Sequence, residues 1–212
     1  MSSYKISGLK VNIVKDDIPK SFAQLAHKAK RLACDIETSG LDWSKDKIGT
    51  CQVHVPNKSV IVIRIGSKKP DTLLSLLSDP YITKVFHHAM FDLRFIVHRW
   101  NIFPKNIVCT KIAAKLLDRE QRGKSTLKAL LDDYLGITIE KEQRLSQWVD
   151  VKLRRPQIEY AASDVIYLWP LYERLEKKLR SRSLLNLAHR CFRHIPTQVQ
   201  LELLGYKNIY KY

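Results

Sequence analysis

Arg31-Leu32-Ala33-Cys34-Asp35-Ile36-Glu37 is an apolar run that ends in two carboxylates one residue apart, and Ser39-Gly40 breaks the pattern directly after it. An apolar stretch of this length bounded by turn residues predicts a strand. In extended backbone, residues two apart share a face, so Asp35 and Glu37 aim at one point while Ile36 packs on the other side. Two negative charges this close raise each other's proton affinity unless a cation neutralises them. A hard ion such as Mg²⁺ or Mn²⁺ meets that need, because both prefer carboxylate oxygens. An exposed acidic strand end is the competing reading of the pair taken alone.

A second element follows at Val85-Phe86-His87-His88-Ala89-Met90-Phe91-Asp92-Leu93-Arg94-Phe95-Ile96. Val85 and Phe86 read as the end of a buried strand, and Phe91, Phe95 and Ile96 take up helical spacing. Asp92 then falls in the first turns of a helix, whose N-terminus favours its charge. His88 is a candidate phosphate contact, as is His87, with a structural histidine the alternative for each. The third element is Pro156-Gln157-Ile158-Glu159-Tyr160-Ala161-Ala162-Ser163-Asp164-Val165. Pro156 suits the start of a helix, and a spacing of four places Tyr160 and Asp164 one above the other on it. A core aromatic is the alternative reading of Tyr160.

Four carboxylates and a phenol are the ingredients with which two divalent cations, roughly 3.5 to 4 Å apart, cleave a phosphodiester: one side activates water and the other stabilises the leaving oxygen. The order Asp35-x-Glu37, Asp92, Tyr160-x-x-x-Asp164 resembles the three exonuclease motifs of the DEDD superfamily, in the subclass whose last motif carries tyrosine. The sister subclass has a histidine five residues before the final Asp, where this chain has Glu159. The surroundings resemble the ribonuclease D family at Cys109-Thr110-Lys111-Ile112-Ala113-Ala114, at Leu145-Ser146-Gln147-Trp148 and around Tyr160. Ile82-Thr83-Lys84-Val85-Phe86-His87 and Cys191-Phe192-Arg193-His194-Ile195-Pro196 are similar to its nano-RNase C branch.

That resemblance implies a 3′-5′ exonuclease releasing nucleoside 5′-monophosphates from short RNA, dinucleotides in particular, with longer RNA or single-stranded DNA as the open alternative, and a ring-forming homo-oligomer. It implies that Asp35, Glu37 and Asp164 hold one Mg²⁺ or Mn²⁺ ion, that Asp35 and Asp92 share a second, and that Tyr160 orients the attacking water. Leu41, four residues past Glu37, matches an apolar wedge against the terminal bases, with a buried loop leucine as the competing reading. Ser146 and Trp148 lie in a segment that mixes amide, hydroxyl and basic groups with an aromatic, a composition suited to a single strand. They are candidate substrate contacts, and Trp148 is equally a candidate core anchor. A basic nucleic-acid-binding module with an idle centre is the reading from a different class.

Lys and Arg number 37 against 21 acidic residues in 212, a formal net charge of +16. With several of those acids expected in one cleft, the remaining surface is more basic still and favours polyanions. Cys34, Cys51, Cys109 and Cys191 have no disulfide or zinc spacing and are expected as free thiols in a reducing compartment. No secretory or spanning segment is legible, so cytoplasm is the expected location and no membrane partner is expected.

The pattern predicts strands near 10–15, 31–37, 49–55, 59–65 and 83–87, and helices near 18–28, 70–78, 89–99, 110–117, 125–135, 156–180 and 183–204. Pro56-Asn57-Lys58-Ser59 reads as a hairpin connection. With the resemblance, this implies an α/β, ribonuclease H-like mixed sheet flanked by helices with a helical C-terminal part. A domain over 1–180 and a C-terminal extension over 181–212, packing on its own domain or on a neighbouring subunit, are expected. The charged segment Asp118–Ser125 is a polar loop that could instead hold phosphate.

Overall fold

The computed structural model describes residues 2–118, 120, 125–139, 143, 145–149, 152–206, 209 and 211. Most of the Asp118–Ser125 loop, and Lys141, Glu142 and Arg144, lie outside them. A seven-stranded mixed sheet runs in the order β1-β2-β5-β4-β3-β6-β7. Its strands are β1 (Ser2–Ile6), β2 (Leu9–Lys15), β3 (Arg31–Thr38), β4 (Ile48–His54), β5 (Val60–Arg64), β6 (Thr83–Phe86) and β7 (Ile107–Cys109). The helices are α1 (Lys20–Ala29), α2 (Asp71–Ser78), α3 (Ala89–Trp100), α4 (Thr110–Leu117), α5 (Leu127–Leu135), α6 (Arg155–Ile166), α7 (Leu168–Ser181) and α8 (Leu185–Leu203).

β3 is central because it is apolar on both sides: Leu32, Ala33, Cys34 and Ile36 are all buried. It pairs antiparallel with β4 and parallel with β6, and β4 pairs antiparallel with β5. The expected hairpin joins β4 to β5, with Asn57 at φ 61° and Lys58 N–H donating to the Val55 carbonyl. Asparagine tolerates that left-handed backbone better than most residues.

Three elements differ from the expectation. β1 is an edge strand of polar residues, Ser2-Ser3-Tyr4-Lys5, too weakly patterned to read, and it is held to β2 by the Ser7-Gly8 turn, both residues at positive φ. β7 has only three residues, below the length at which a period shows. The single helix expected over 156–180 is two, α6 and α7, parted at Tyr167. Pro170 has no N–H for the Ile166 carbonyl and its ring crowds that oxygen, so the helix restarts. Ser7 Oγ and Tyr167 Oη, 2.9 Å apart, brace the break against the β1–β2 turn.

The C-terminal helix packs within its own chain, against α3, α4, α7 and β7. Ala188, Phe192, Ile195 and Val199 form its buried stripe. Arg94 of α3 donates to Glu202 at 3.1 Å, which ties the end of α8 to the helix that carries Asp92. Among the described residues no helix is long and apolar enough to cross a membrane.

Gly49 of β4 lies against the Trp148 segment so closely that a Cβ there would sit 2.4 Å from the Trp148 carbonyl oxygen. Backbone cannot retreat as a flexible side chain can. Gly49→Ala is expected to destabilise the fold by about 1–3 kcal/mol, read as a lower urea midpoint at unchanged m-value.

Candidate active site

Asp35, Glu37 and Asp164 each place a carboxylate oxygen within 4.8 Å of the other two. The first two come from alternate positions of β3 and the third from α6, which packs on β3, β4 and β5. Asp92 enters from the first turn of α3, is 2% exposed, and accepts a hydrogen bond from the Ile36 N–H at 3.2 Å. That bond anchors α3 to β3 midway between Asp35 and Glu37. Tyr160 lies one turn before Asp164 on α6, close enough for that carboxylate to act on its phenol. All five residues singled out from their spacing therefore converge.

Their electrostatics are those of a site short of positive charge. Burial, then the charges of Asp92, Asp164 and Glu37, holds Asp35 well above the usual carboxylate range. Burial followed by Asp164 and Asp92 does the same to Glu37. Burial raises Asp92 too, although backbone N–H groups, including that of Ile36, offset part of the rise. Among the described residues the fully buried cation is Lys84, and its Nζ donates to the Asp79 carbonyl at 2.6 Å rather than to these acids. No lysine or arginine of the described residues forms a salt bridge with Asp35, Glu37 or Asp92. An oxygen-only donor set fits a hard divalent cation.

Burial pushes the Tyr160 phenol far above its ordinary value, and Asp164, Glu37 and Asp35 add to the shift. The hydroxyl stays protonated near neutrality and acts as a donor, not as a base.

Sheet register supplies residues that no linear motif revealed. Gln52 stands opposite Asp35 and Thr50 opposite Glu37, and both are completely buried. The Gln52 amide donates to Asp35 at 3.4 Å while its oxygen accepts from Thr50 at 3.3 Å, which orients the first carboxylate. The row of Glu37 and Thr50 continues through Arg64 to Lys15, so two cations occupy the same row as an acid of the site. A lone glutamine or arginine in a strand carries no signal until its neighbour is known.

The remaining candidates separate. Leu41 is 82% exposed, on a loop tied by Ser39 Oγ and Asp42 N–H to the Asp46 carboxylate at 2.8 and 2.9 Å. The buried-loop reading of Leu41 is thus overturned. Gly40 is favoured there by space, since a Cβ would lie 2.4 Å from the Asp46 carboxylate and displace it from its bonds to Ser39 and Asp42. His88 caps α3 at φ 68° and is exposed; partial desolvation, then Lys111, Arg94 and Lys115, pushes it down to about 4, so it is neutral near pH 7. His87 is tied to the Thr110 hydroxyl at 2.9 Å. Ser146 Oγ accepts from Gln157 at 3.0 Å and so helps fix the start of α6. Trp148 corrects the expectation of a stacking surface: it is 2% exposed, with its ring 6.0 Å from that of Tyr160. It is the core anchor, and no face is left for a base.

The 3′-5′ exonuclease family matches residues 11–180. Ribonuclease D of Haemophilus influenzae is 29% identical over 156 residues, 73% of this chain and 38% of that protein. Ribonuclease D of Escherichia coli is 26% identical over 163 residues, 77% of this chain and 43% of that protein. The chain thus spans about two fifths of the length of these relatives. Among solved structures, Brucella melitensis NrnC superposes with a TM-score of 0.88 at 34% identity, covering 95% of this chain and 98% of that one. The Brucella protein has also been solved bound to pGG and with bound Mg²⁺.

Removing one of the mutually repelling charges should relieve the metal-free protein. With chelator at neutral pH, Asp92→Asn is expected to raise Tm by about 2–4 °C, the shift that corresponds to roughly 1 kcal/mol in a chain of this size. Mg²⁺ should raise the wild-type Tm more than that of the variant. A wild-type Tm indifferent to Mg²⁺ would contradict the electrostatic account.

Proposed function

The chain belongs to the 3′-5′ exonuclease family, in its ribonuclease D group, and from that premise we propose that it hydrolyses short RNA from the 3′ end to nucleoside 5′-monophosphates, dinucleotides above all. The observation that carries the reading is the convergence of Asp35, Glu37, Asp92 and Asp164, with no lysine or arginine of the described residues bridging the first three. The preference for short RNA is supported by the likeness to Brucella NrnC, solved with pGG, over nearly the whole of both chains.

Asp35, Glu37 and Asp164 would hold one Mg²⁺ or Mn²⁺ ion, and Asp35 and Asp92 a second. When bound, such ions supply Lewis-acid activation of water and neutralise the leaving oxygen. The chain's own groups do the rest. Gln52 keeps Asp35 in one orientation. Protonated Tyr160, one turn before Asp164, is placed to orient the attacking water, a positioning role rather than proton removal. Leu41 offers an exposed apolar side chain just past Glu37, suited to lie flat against the terminal base. His88, being neutral, offers hydrogen bonds rather than charge to a phosphate, while Arg64 and Lys15 offer charge to the next one along. A homo-oligomer and a cytoplasmic location belong to the same reading, the first checked by sedimentation.

The test is a panel of 5′-labelled RNAs from dimer to heptamer, with matched DNA, in Mg²⁺ or Mn²⁺. Dimers should be cleaved fastest; equal rates on heptamers would remove the dinucleotide preference, and no cleavage of any RNA would remove the whole proposal. Asp35→Ala should abolish turnover. Tyr160→Phe should lower kcat by about 10²-fold while the Mg²⁺-dependent rise in Tm persists. A Tyr160→Phe enzyme of wild-type rate would dismiss the orienting role.

A further inference from the structure

One cavity lies apart from the carboxylates. It measures about 750 Å³ and opens where three parallel strands begin, at Arg31 of β3, Thr83 of β6 and Ile107 of β7. Asp35 lies further along β3, roughly 13 Å away at the rise of an extended chain. Helices α7 and α8 form the walls and the segment Phe103–Asn106 forms the rim.

Three kinds of chemistry meet in it. Lys30, Lys105 and Arg193 are exposed on its lining, and none is paired with a carboxylate among the described residues. Phe103 is 47% exposed, an aromatic face with nothing of the chain stacked on it among the described residues. Glu176 of α7 supplies a carboxylate. Cations suit a phosphate, an open aromatic face suits a base, and a carboxylate suits ribose hydroxyls.

Trp169 is 5% exposed, and its buried Nε1–H has no partner among the described residues. Pro196 sits inside α8 and lacks the N–H that would have served the Phe192 carbonyl, and both residues line the cavity. Arg31 is already engaged, stacked 5.0 Å over the Trp169 ring and donating to Glu173 at 2.9 Å, so it braces the floor rather than offering charge.

We propose that this cavity is a second nucleotide-binding site, separate from the catalytic carboxylates, in which Phe103 stacks a base and Arg193 with Lys105 holds its phosphate. The volume lies within the range of small-ligand sites and accommodates one nucleotide. The site does not depend on the chain being a nuclease, since none of its residues belongs to the carboxylate cluster.

The experiment is calorimetric titration of the full chain with AMP in the presence of chelator, which removes divalent-ion-dependent binding at the carboxylates. AMP is expected to bind one to one, and adenosine, lacking the phosphate, at least about tenfold more weakly. Arg193→Glu should weaken AMP by about tenfold and Phe103→Ala by about fivefold or more, while Asp35→Asn binds it as the wild type does. Both substituted residues of the cavity are exposed, and Lys105→Glu repeats the charge test should either fail to fold. A 5′-phosphorylated hexamer run alongside separates the sources of the nucleotide: tighter binding than AMP means a unit of an RNA chain, weaker binding a free mononucleotide, and either sustains the site. The proposal is overturned by no binding at millimolar AMP, by binding that Arg193→Glu and Phe103→Ala leave untouched, or by binding lost in Asp35→Asn. Sedimentation in which Arg193→Glu only dissociates an oligomer, with no AMP binding in the parent, overturns it as well by marking the cavity as a seam between copies.

Discussion

Mutual repulsion among buried carboxylates is the constraint to which the rest of the molecule answers. Asp92, Asp164 and Glu37 raise the proton affinity of Asp35, Asp164 and Asp92 that of Glu37, and the described residues offer no lysine or arginine bridge to Asp35, Glu37 or Asp92. Such a cluster disperses unless the backbone over-determines each position. Here three devices fix the four acids: alternation along β3 for Asp35 and Glu37, the Ile36 N–H for Asp92, and the packing of α6 for Asp164. Three independent constraints prevent the site from relaxing by one movement.

The scaffold around the cluster is correspondingly stiff. Trp148 fills the space behind Tyr160 and is itself pressed against Gly49 of β4, so the phenol rests on an aromatic that rests on backbone. Gln157, at the start of α6, caps Arg154 N–H at 3.0 Å and also reaches Ser146 Oγ and the Gln147 carbonyl. The loop that presents Leu41 is knotted through Asp46. Outside the cleft the charge changes sign. With a formal net charge of +16 and acids gathered at one point, the surrounding surface is basic, a balance that favours polyanions.

Two departures from the linear pattern have a common physical origin. The long apolar periodicity over 156–180 spans both α6 and α7, because periodicity registers burial and not continuity; the break follows from Pro170 alone. Trp148 sits in a segment whose composition suits a single strand of nucleic acid, yet composition does not say which way a ring turns. Gly49 lets the Trp148 backbone press against β4, and from there the ring lies buried beside Tyr160.

The sequence by itself determined the strand order of acids, the helical stacking of Tyr160 over Asp164 and the placement of Asp92 at a helix start, since each rests on a local period of two or of about four residues. Local periods are short-range physics and survive in one dimension. What only the tertiary structure decided is what stands beside them: Gln52 next to Asp35, Arg64 and Lys15 in the row of Glu37, and Phe103, Glu176 and Arg193 around one cavity. Those neighbours come from sheet register and helix packing, which join residues far apart in the chain, and no spacing along the chain encodes them.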